Sequence, residues 1–364
     1  MIVVHSHLDL LIMKQILKAL LLVFVMVFLD QCERDEQNPD VNIPDNNFLN
    51  ALIARGIDTN GDSIISATEA EAVISLNVCR QDISDMTGIE KFVKLDTLFC
   101  HRNKLTILDF SHNTSLKSLN CSQNLLTTLN SSKNIFLEQL FCSTNQLINL
   151  DISNNTNLKL LSCYNNLITS LDLSNNSTLS YLHCSYNQLT ILDVSFNKVL
   201  THLYCSRNAL ASLNVSKNTA LSSLSCSVNQ LTTLDVSANT ALTILDCGRN
   251  PLKSLDISNN IDMLGLYCIE NQLTSLDVSN NTALGILYCG GNQLTKLDIS
   301  HNKEIGSLSH PGEDLFSLPF PDLDISDMPT LFEVCVWQMP FPPIGIHIDT
   351  TSSPNVYFTT DCSK

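Results

Sequence analysis

The sequence predicts a solenoid, mainly parallel β with two strands per coil, closed at its amino end by a small α-helical cap. Three observations carry this. A 21-residue unit recurs ten times between about Leu95 and Asn302. Each unit divides into two halves that share one apolar pattern, and an acidic twelve-residue loop between amphipathic segments precedes the array.

The amino-terminal segment, residues 1-32, is read as a targeting sequence and not as part of the fold. Met13 is the expected start, because Lys14 and Lys18 precede an apolar run from Ala19 to Leu29 that is too short to span a bilayer. Leu29-Asp30-Gln31-Cys32 resembles a bacterial lipoprotein signal, in which the cysteine is acylated, although Asp30 and Gln31 depart from the small residues usual there. An uncleaved anchor or a mis-assigned start is the alternative. The acidic residues after Cys32 resemble export tags of Bacteroidota surface lipoproteins, and residues 33-44 read as a linker.

Residues 45-78 are expected to form an EF-hand-like helix–loop–helix. The loop from Asp58 to Glu69 has oxygen ligands at calcium spacing: Asp58, Asn60 and Asp62 through side chains, Ile64 through its carbonyl, Ser66 directly or through water, and Glu69 with both oxygens. Phe48, Leu49, Leu52 and Ile53 mark the first helix, Ala67 to Val73 begins the second, and Ile65 should be buried between them. Ser63 stands where such loops need φ > 0 and prefer Gly, a strain that weakens binding. No second loop is visible to pair with this one. The competing reading is an acidic capped turn that binds nothing.

The repeats, residues 79-310, explain themselves position by position. Leu221 to Asn229 and Leu231 to Asn239 both read L-x-x-L-x-[CV]-S-x-N. The fourth and sixth positions of each half alternate about an outward residue, as strands require. Ten cysteines, Cys100 through Cys289, occupy the sixth slot of the first half, where a thiol serves as a small buried hydrophobe. Asparagines close both halves, from Asn103 to Asn292 and from Asn113 to Asn302, and should satisfy backbone groups of neighbouring coils. One coil buries too little by itself, so stability should come from stacking.

L-x-x-L-x-C-x-x-N-x-L is similar to the leucine-rich-repeat consensus, with Cys in the third apolar slot. The doubled form, with L-D-[VI]-S-x-N in its second half, resembles nested leucine-rich repeats of bacterial surface proteins, especially of the Bacteroidota, whose entry region also resembles the calcium-like segment. The fold class is thus a leucine-rich-repeat solenoid, with coverage from about Val73 to Val336. The resemblance implies a binding scaffold, with internalin-like recognition of another macromolecule.

At the carboxyl end, residues 311-364 are expected to cap the array. His310 is assigned the Cys slot of an eleventh coil, a Pro-rich insertion from Pro311 to Pro321 follows, and the last slot falls at Val336. Cys335 and Cys362 lie outside the ladder and either form a disulfide or remain two free thiols.

The two faces differ in what they display. The second face shows Asp at eight of ten coils, from Asp109 to Asp298, which either gathers cations or accepts local turn hydrogen bonds. The first face shows Phe99, Phe141, His183, Tyr204, Tyr267 and Tyr288, with Tyr164, Tyr181 and Tyr186 extending it. Rigidly held aromatics suit recognition, though aromatics are also ordinary strand formers. The reading is a non-enzymatic surface scaffold for a protein partner on a host or neighbouring cell. A glycan ligand, or an envelope spacer without ligand, is the alternative. A formal charge of −16 with 20 Lys plus Arg speaks against nucleic acid, and membrane contact is expected only through the lipid anchor. No nucleophile elbow, metal-binding His cluster or phosphate loop points to catalysis.

Overall fold

A computed structural model describes residues 39–307 and 321–362. The expected targeting segment with Met13 and Cys32, and also His310, lie outside them. The chain forms a parallel β-solenoid entered through two short helices, α1 (Asn46–Ala54) and α2 (Ala67–Ala72). Asp45 caps α1 through the Asn47 and Phe48 amides, and Ser66 and Glu69 form a capping box on α2. Phe48, Leu52 and Ile65 are fully buried and seal the first coil.

The linker contributes to this cap. Asp40 bridges Ser66 in antiparallel fashion, and Val41 N donates to Ile65 O at 2.8 Å. Residues 39–41 therefore pair along the edge of the acidic loop.

The first sheet has thirteen strands, from β1 (Ser75–Asn77) to β2 (Thr97–Phe99), from there at 21-residue steps to β11 (Ile286–Tyr288), then on to β13 (Leu323–Asp324) and β15 (Ile348–Asp349). It thus outruns the anticipated array limits of 79 and 310 at both ends. In every strand from β1 to β11 the middle residue is a buried leucine, and the following cysteines Cys100 to Cys289 are wholly buried. Burial pushes their thiols up, Cys121, Cys163 and Cys205 to about 12, so the ladder is chemically quiet.

The expected second strand of each coil is realised as a regular ladder only at the carboxyl end, where β12 (Lys296–Asp298), β14 (Glu333–Cys335) and β16 (Tyr357–Thr359) pair in parallel. Elsewhere the described second halves show one isolated bridge, Asn130 with Asp151. The outward Asp or Asn accepts the backbone amide two residues on in all ten coils, as in Ser153 to Asp151 at 2.9 Å and Ser237 to Asp235 at 2.9 Å. The same turn forms at Asn120, Asp246 and Asp298, which end paired strands, so it accompanies the open stretches without excluding a ladder.

The two asparagine columns also divide. Asn250, in the first, donates Nδ2 to the carbonyls of Cys226, Cys247 and Gly248 at 3.0–3.2 Å and accepts from Leu231 N at 3.0 Å. Asn239, in the second, donates to Val215 O and Asn218 O, while its buried Oδ1 has no partner. Asn155 is an exception, because Ser131 occupies an apolar slot and gives its hydroxyl to Asn155 Oδ1 at 2.7 Å.

The expected seat of His310 is filled by another residue. Leu287 pairs with Leu323 and Tyr288 with Asp324, which puts buried Ile325 in the slot after Cys289. The motif Leu323-Asp324-Ile325-Ser326 carries a second-half signature yet lies in the first sheet, since both halves share one inward pattern. Val336 is buried beside Ile299, but it is not the last turn, because β15 and β16 add one more. Cys335 and Cys362 are joined, with Cα atoms 5.5 Å apart.

Candidate recognition face

The first sheet's outward column receives one side chain per coil, and parallel in-register pairing sets these side chains side by side. His183 pairs with Tyr204, and Tyr267 with Tyr288. Their rings meet at centroid distances of 5.4 Å and 5.0 Å. Tyr164 stacks on His183 at 5.0 Å and meets Tyr186 edge-on at 5.4 Å, while Tyr181 packs on Tyr204 at 5.6 Å. His202 and Arg207 complete the patch, with Arg207 4.8 Å over the Tyr186 ring. Phe99 and Phe141 lie farther along the same column, separated by Asn120 on the strand between them.

Beyond Tyr204 the column drops to Ser225 and Asp246 before rising again at Tyr267. The step opens a groove of about 520 Å³ across the sheet, walled by Tyr204 on one side and by Tyr267 and Tyr288 on the other. Its floor is polar. Asp246 Oδ2 accepts the hydroxyls of Ser225 and Ser227, each at 2.7 Å. Arg207 and Arg249 stand at the rim, the latter paired with Glu270 at 2.8 Å. Burial and then Asp246 raise the Tyr267 phenol, and burial, Tyr267, Asp324 and Asp322 raise that of Tyr288, so both remain protonated donors in a negative field. Burial lowers the His183 pKa, which keeps its imidazole neutral near pH 7.

Sequence reasoning singled out the rings and passed over the groove's floor. Asp246 and Ser225 stand in the same outward column, and the fall in side-chain size between Tyr204 and Tyr267 is the signal that marks the gap.

One rim column carries backbone strain. Two residues after each cysteine slot φ is positive, from +57° at Arg102 to +53° at Val228 and +54° at Arg249, and glycine takes this place only at Gly291. Tyr186, Arg207, Val228 and Arg249 in that column border the groove and its neighbour.

In the acidic loop, Asp58 accepts the amides of Gly61 and Ser63, and Asp62 accepts that of Ile64 and the Asn60 side-chain amide. Ser63 has the anticipated positive φ, +67°. Burial opposes ionisation of Glu69, but four donors from Ser66 and Thr59 outweigh it and hold its carboxyl at about 2. Ser66 serves as helix cap. The loop carboxylates are not drawn together: among the described residues, the one trio of His, Cys, Asp or Glu ligand atoms within 4.8 Å of one another is Asp298 with the bonded Cys335 and Cys362.

No family profile matches the chain. A 71-residue stretch is 38% identical to internalin J of Listeria monocytogenes, which amounts to 20% of this chain and 8% of that protein. The solved functional domain of internalin J, described as including a cysteine ladder, superposes with a TM-score of 0.61 at 31% identity, covering 82% of this chain and 76% of that one. The chain belongs to the internalin-like leucine-rich-repeat proteins. The internalin-like coil also superposes on YopM, a leucine-rich effector of Yersinia pestis, at TM-score 0.58 and 21% identity over 84% of this chain and 90% of that one. A third match is the Arabidopsis thaliana receptor-kinase ectodomain GASSHO1/SCHENGEN3, solved in complex with CASPARIAN STRIP INTEGRITY FACTOR 2, at 0.59 and 21% over 76% and 34%. Those two likenesses concern the fold. Among the described residues of the internalin-like chain, no helix is long and apolar enough to cross a membrane.

Proposed function

We propose that the protein is a non-enzymatic cell-surface scaffold that binds a protein partner through the outward face of its first sheet. The supporting observation is the continuous aromatic patch from Tyr164 to Tyr204, followed by the Tyr-walled groove, on a rigid ladder. Rings held this way bring contact area with little entropy left to lose. The receptor ectodomain solved in complex with CASPARIAN STRIP INTEGRITY FACTOR 2 supports this reading, as a coil of similar shape that holds a partner. Replacing Tyr204, Tyr267 and Tyr288 together with Ala should abolish capture of a partner from the organism's surroundings while the melting temperature holds. Retained capture overturns the reading. Glycan binding by the same rings is the second reading, favoured by serine hydroxyls between two tyrosine walls. Hits on a glycan array without protein capture would decide for it.

Export and lipid attachment at Cys32 are part of this proposal, because they would present the face outside the cell. Loss of radiolabelled palmitate on Cys32→Ser is the expected result. We also propose a structural calcium ion held by Asp58, Asn60, Asp62, the Ile64 carbonyl and Glu69, with Ser66 near it. The donors are hard oxygens suited to calcium. Glu69 would give up some of its donors from Thr59 and Ser66, so affinity should be modest. The ion would fix the cap over the first coil. Calorimetry without calcium heat, together with a melting temperature indifferent to calcium, removes it.

A further inference from the structure

The groove on the first sheet has a chemistry distinct from the aromatic patch beside it. Its floor carries a carboxylate, that of Asp246, held in place by two serine hydroxyls at 2.7 Å and approached by Gly248 N at 3.3 Å. None of these partners carries a charge. Among the described residues Asp246 forms no ion pair, whereas Arg249 is occupied by Glu270 and Arg207 lies over Tyr186. The walls are ring faces and edges, and an aromatic face attracts a cation. Glycine shapes the wall: a Cβ on Gly265 would meet Ile244 Cδ1 at 3.0 Å and Tyr267 Cε2 at 3.3 Å, so the bare backbone lets the Tyr267 ring lie over its own strand. Beyond Tyr288 the column turns acidic again at Asp324, its in-register neighbour. The tyrosine pair is thus bracketed by two carboxylates, in a chain of formal charge −16 that draws basic partners toward it.

We infer that this groove seats a lysine or arginine side chain of the protein partner, its stem between Tyr204 and Tyr267 and its charge on Asp246. The inference rests on the first sheet being the recognition face. A neutral sugar would use the rings but leave the carboxylate without a counter-charge. A basic side chain uses both, since its apolar stem suits the walls and its head suits the floor.

A random peptide library panned on the full chain tests this. Enriched peptides should carry a Lys or Arg. Replacing that residue with norleucine in the synthetic peptide should weaken binding at least about tenfold, the usual worth of a charge-assisted contact. Asp246→Asn keeps an acceptor for the serines and should weaken the peptide to the same degree, while Asp298→Asn on the second face, with the same change in net charge, should leave it unaltered. Tyr267→Leu retains the carboxylate and its serines. It should cost severalfold, which guards against reading a folding defect in Asp246→Asn as lost recognition. Enriched peptides without basic residues, norleucine peptides that bind equally, or an equal loss in Asp298→Asn overturn the inference. So does a library that yields no binder. If partner capture still depends on Tyr204, Tyr267 and Tyr288 in those cases, the face remains the recognition surface and only the cation seat falls. If capture survives their replacement, both readings fall.

Discussion

The two faces of each coil start from one sequence pattern and end differently. The first half pairs into thirteen continuous strands and commits its outward side chain to the turn in only some coils, as at Asn120, Asp246 and Asp324. The second half commits that side chain to a turn in every coil, Asp or Asn to the amide two residues on, and most of it is unpaired. A side chain that supplies a local hydrogen bond is constrained in identity, whereas one that supplies nothing local can diversify. This accounts for the near-constant Asp column on one face and the mixture of rings, serines and acid on the other.

The sharpest test of the contrast lies in the asparagines. Asn250→Ala orphans the buried Leu231 amide, while the Cys226, Cys247 and Gly248 carbonyls keep donors in Asn229, Asn271 and Val228 N, and should cost about 3 kcal/mol. Asn239→Ala orphans no group, since the Val215 and Asn218 carbonyls keep the amides of Asn218 and Leu221, and it removes an oxygen that was already without a partner, so it should cost about 1 kcal/mol. Urea denaturation of both variants decides, and equal losses would break the distinction. Next comes the end where the second face does form a ladder. Cys362→Ser opens a loop of sequence separation 27 and should cost about 3 kcal/mol, confined to the last turns. Faster hydrogen exchange at Tyr357–Thr359 with no change at Ser223–Ser225 is the expected signature.

Acid should find the Asp column. Turn hydrogen bonds from the following serines lower the pKa values of Asp151, Asp172 and Asp193 below the usual 3.8. With folded values depressed, the unfolded chain binds more protons around pH 3–4, so this contribution is present above about pH 4 and fades as pH falls through the folded values. Changing all three to Asn should alter little at pH 7, because Asn130 and Asn214 already make the same turn in this chain. It should flatten the fall in melting temperature between pH 5 and pH 2.5, and an unchanged slope would place the acid sensitivity elsewhere. The smallest expected effect is on the rim. Val228 is β-branched at φ +53°, and Val228→Gly should stabilise by about 0.5 kcal/mol after glycine's own entropy cost is deducted.

Most of the fold was legible because its signals are periodic. Leu at the fourth slot, Cys at the sixth and Asn at the ninth repeat often enough for burial and pairing to be read from spacing alone. Three features escaped that reading, each for a physical reason. An outward Asp between two apolar residues is compatible with a paired strand, as at Asp246, and with an unpaired turn, as at Asp235, although both accept the amide two residues on. Leu323-Asp324-Ile325-Ser326 could occupy either sheet because the two halves bury the same shape. The pairing of residues 39–41 with Ile65 involves too few residues to leave a pattern. The rings of the candidate face were visible in sequence, whereas the groove depends on what stands between them, Ser225 and Asp246.

The ladder's continuation past β11 has a further consequence. Leu323 takes its place beside Leu287 although it follows by 36 residues instead of 21. Register is therefore carried by the neighbouring coil and not by distance along the chain. A gene encoding such an array can drop or duplicate a whole coil and leave both ends seated as before, each event moving the features of the face by one strand spacing, about 4.8 Å. The protein is in this sense a ruler whose length and whose markings can be inherited separately.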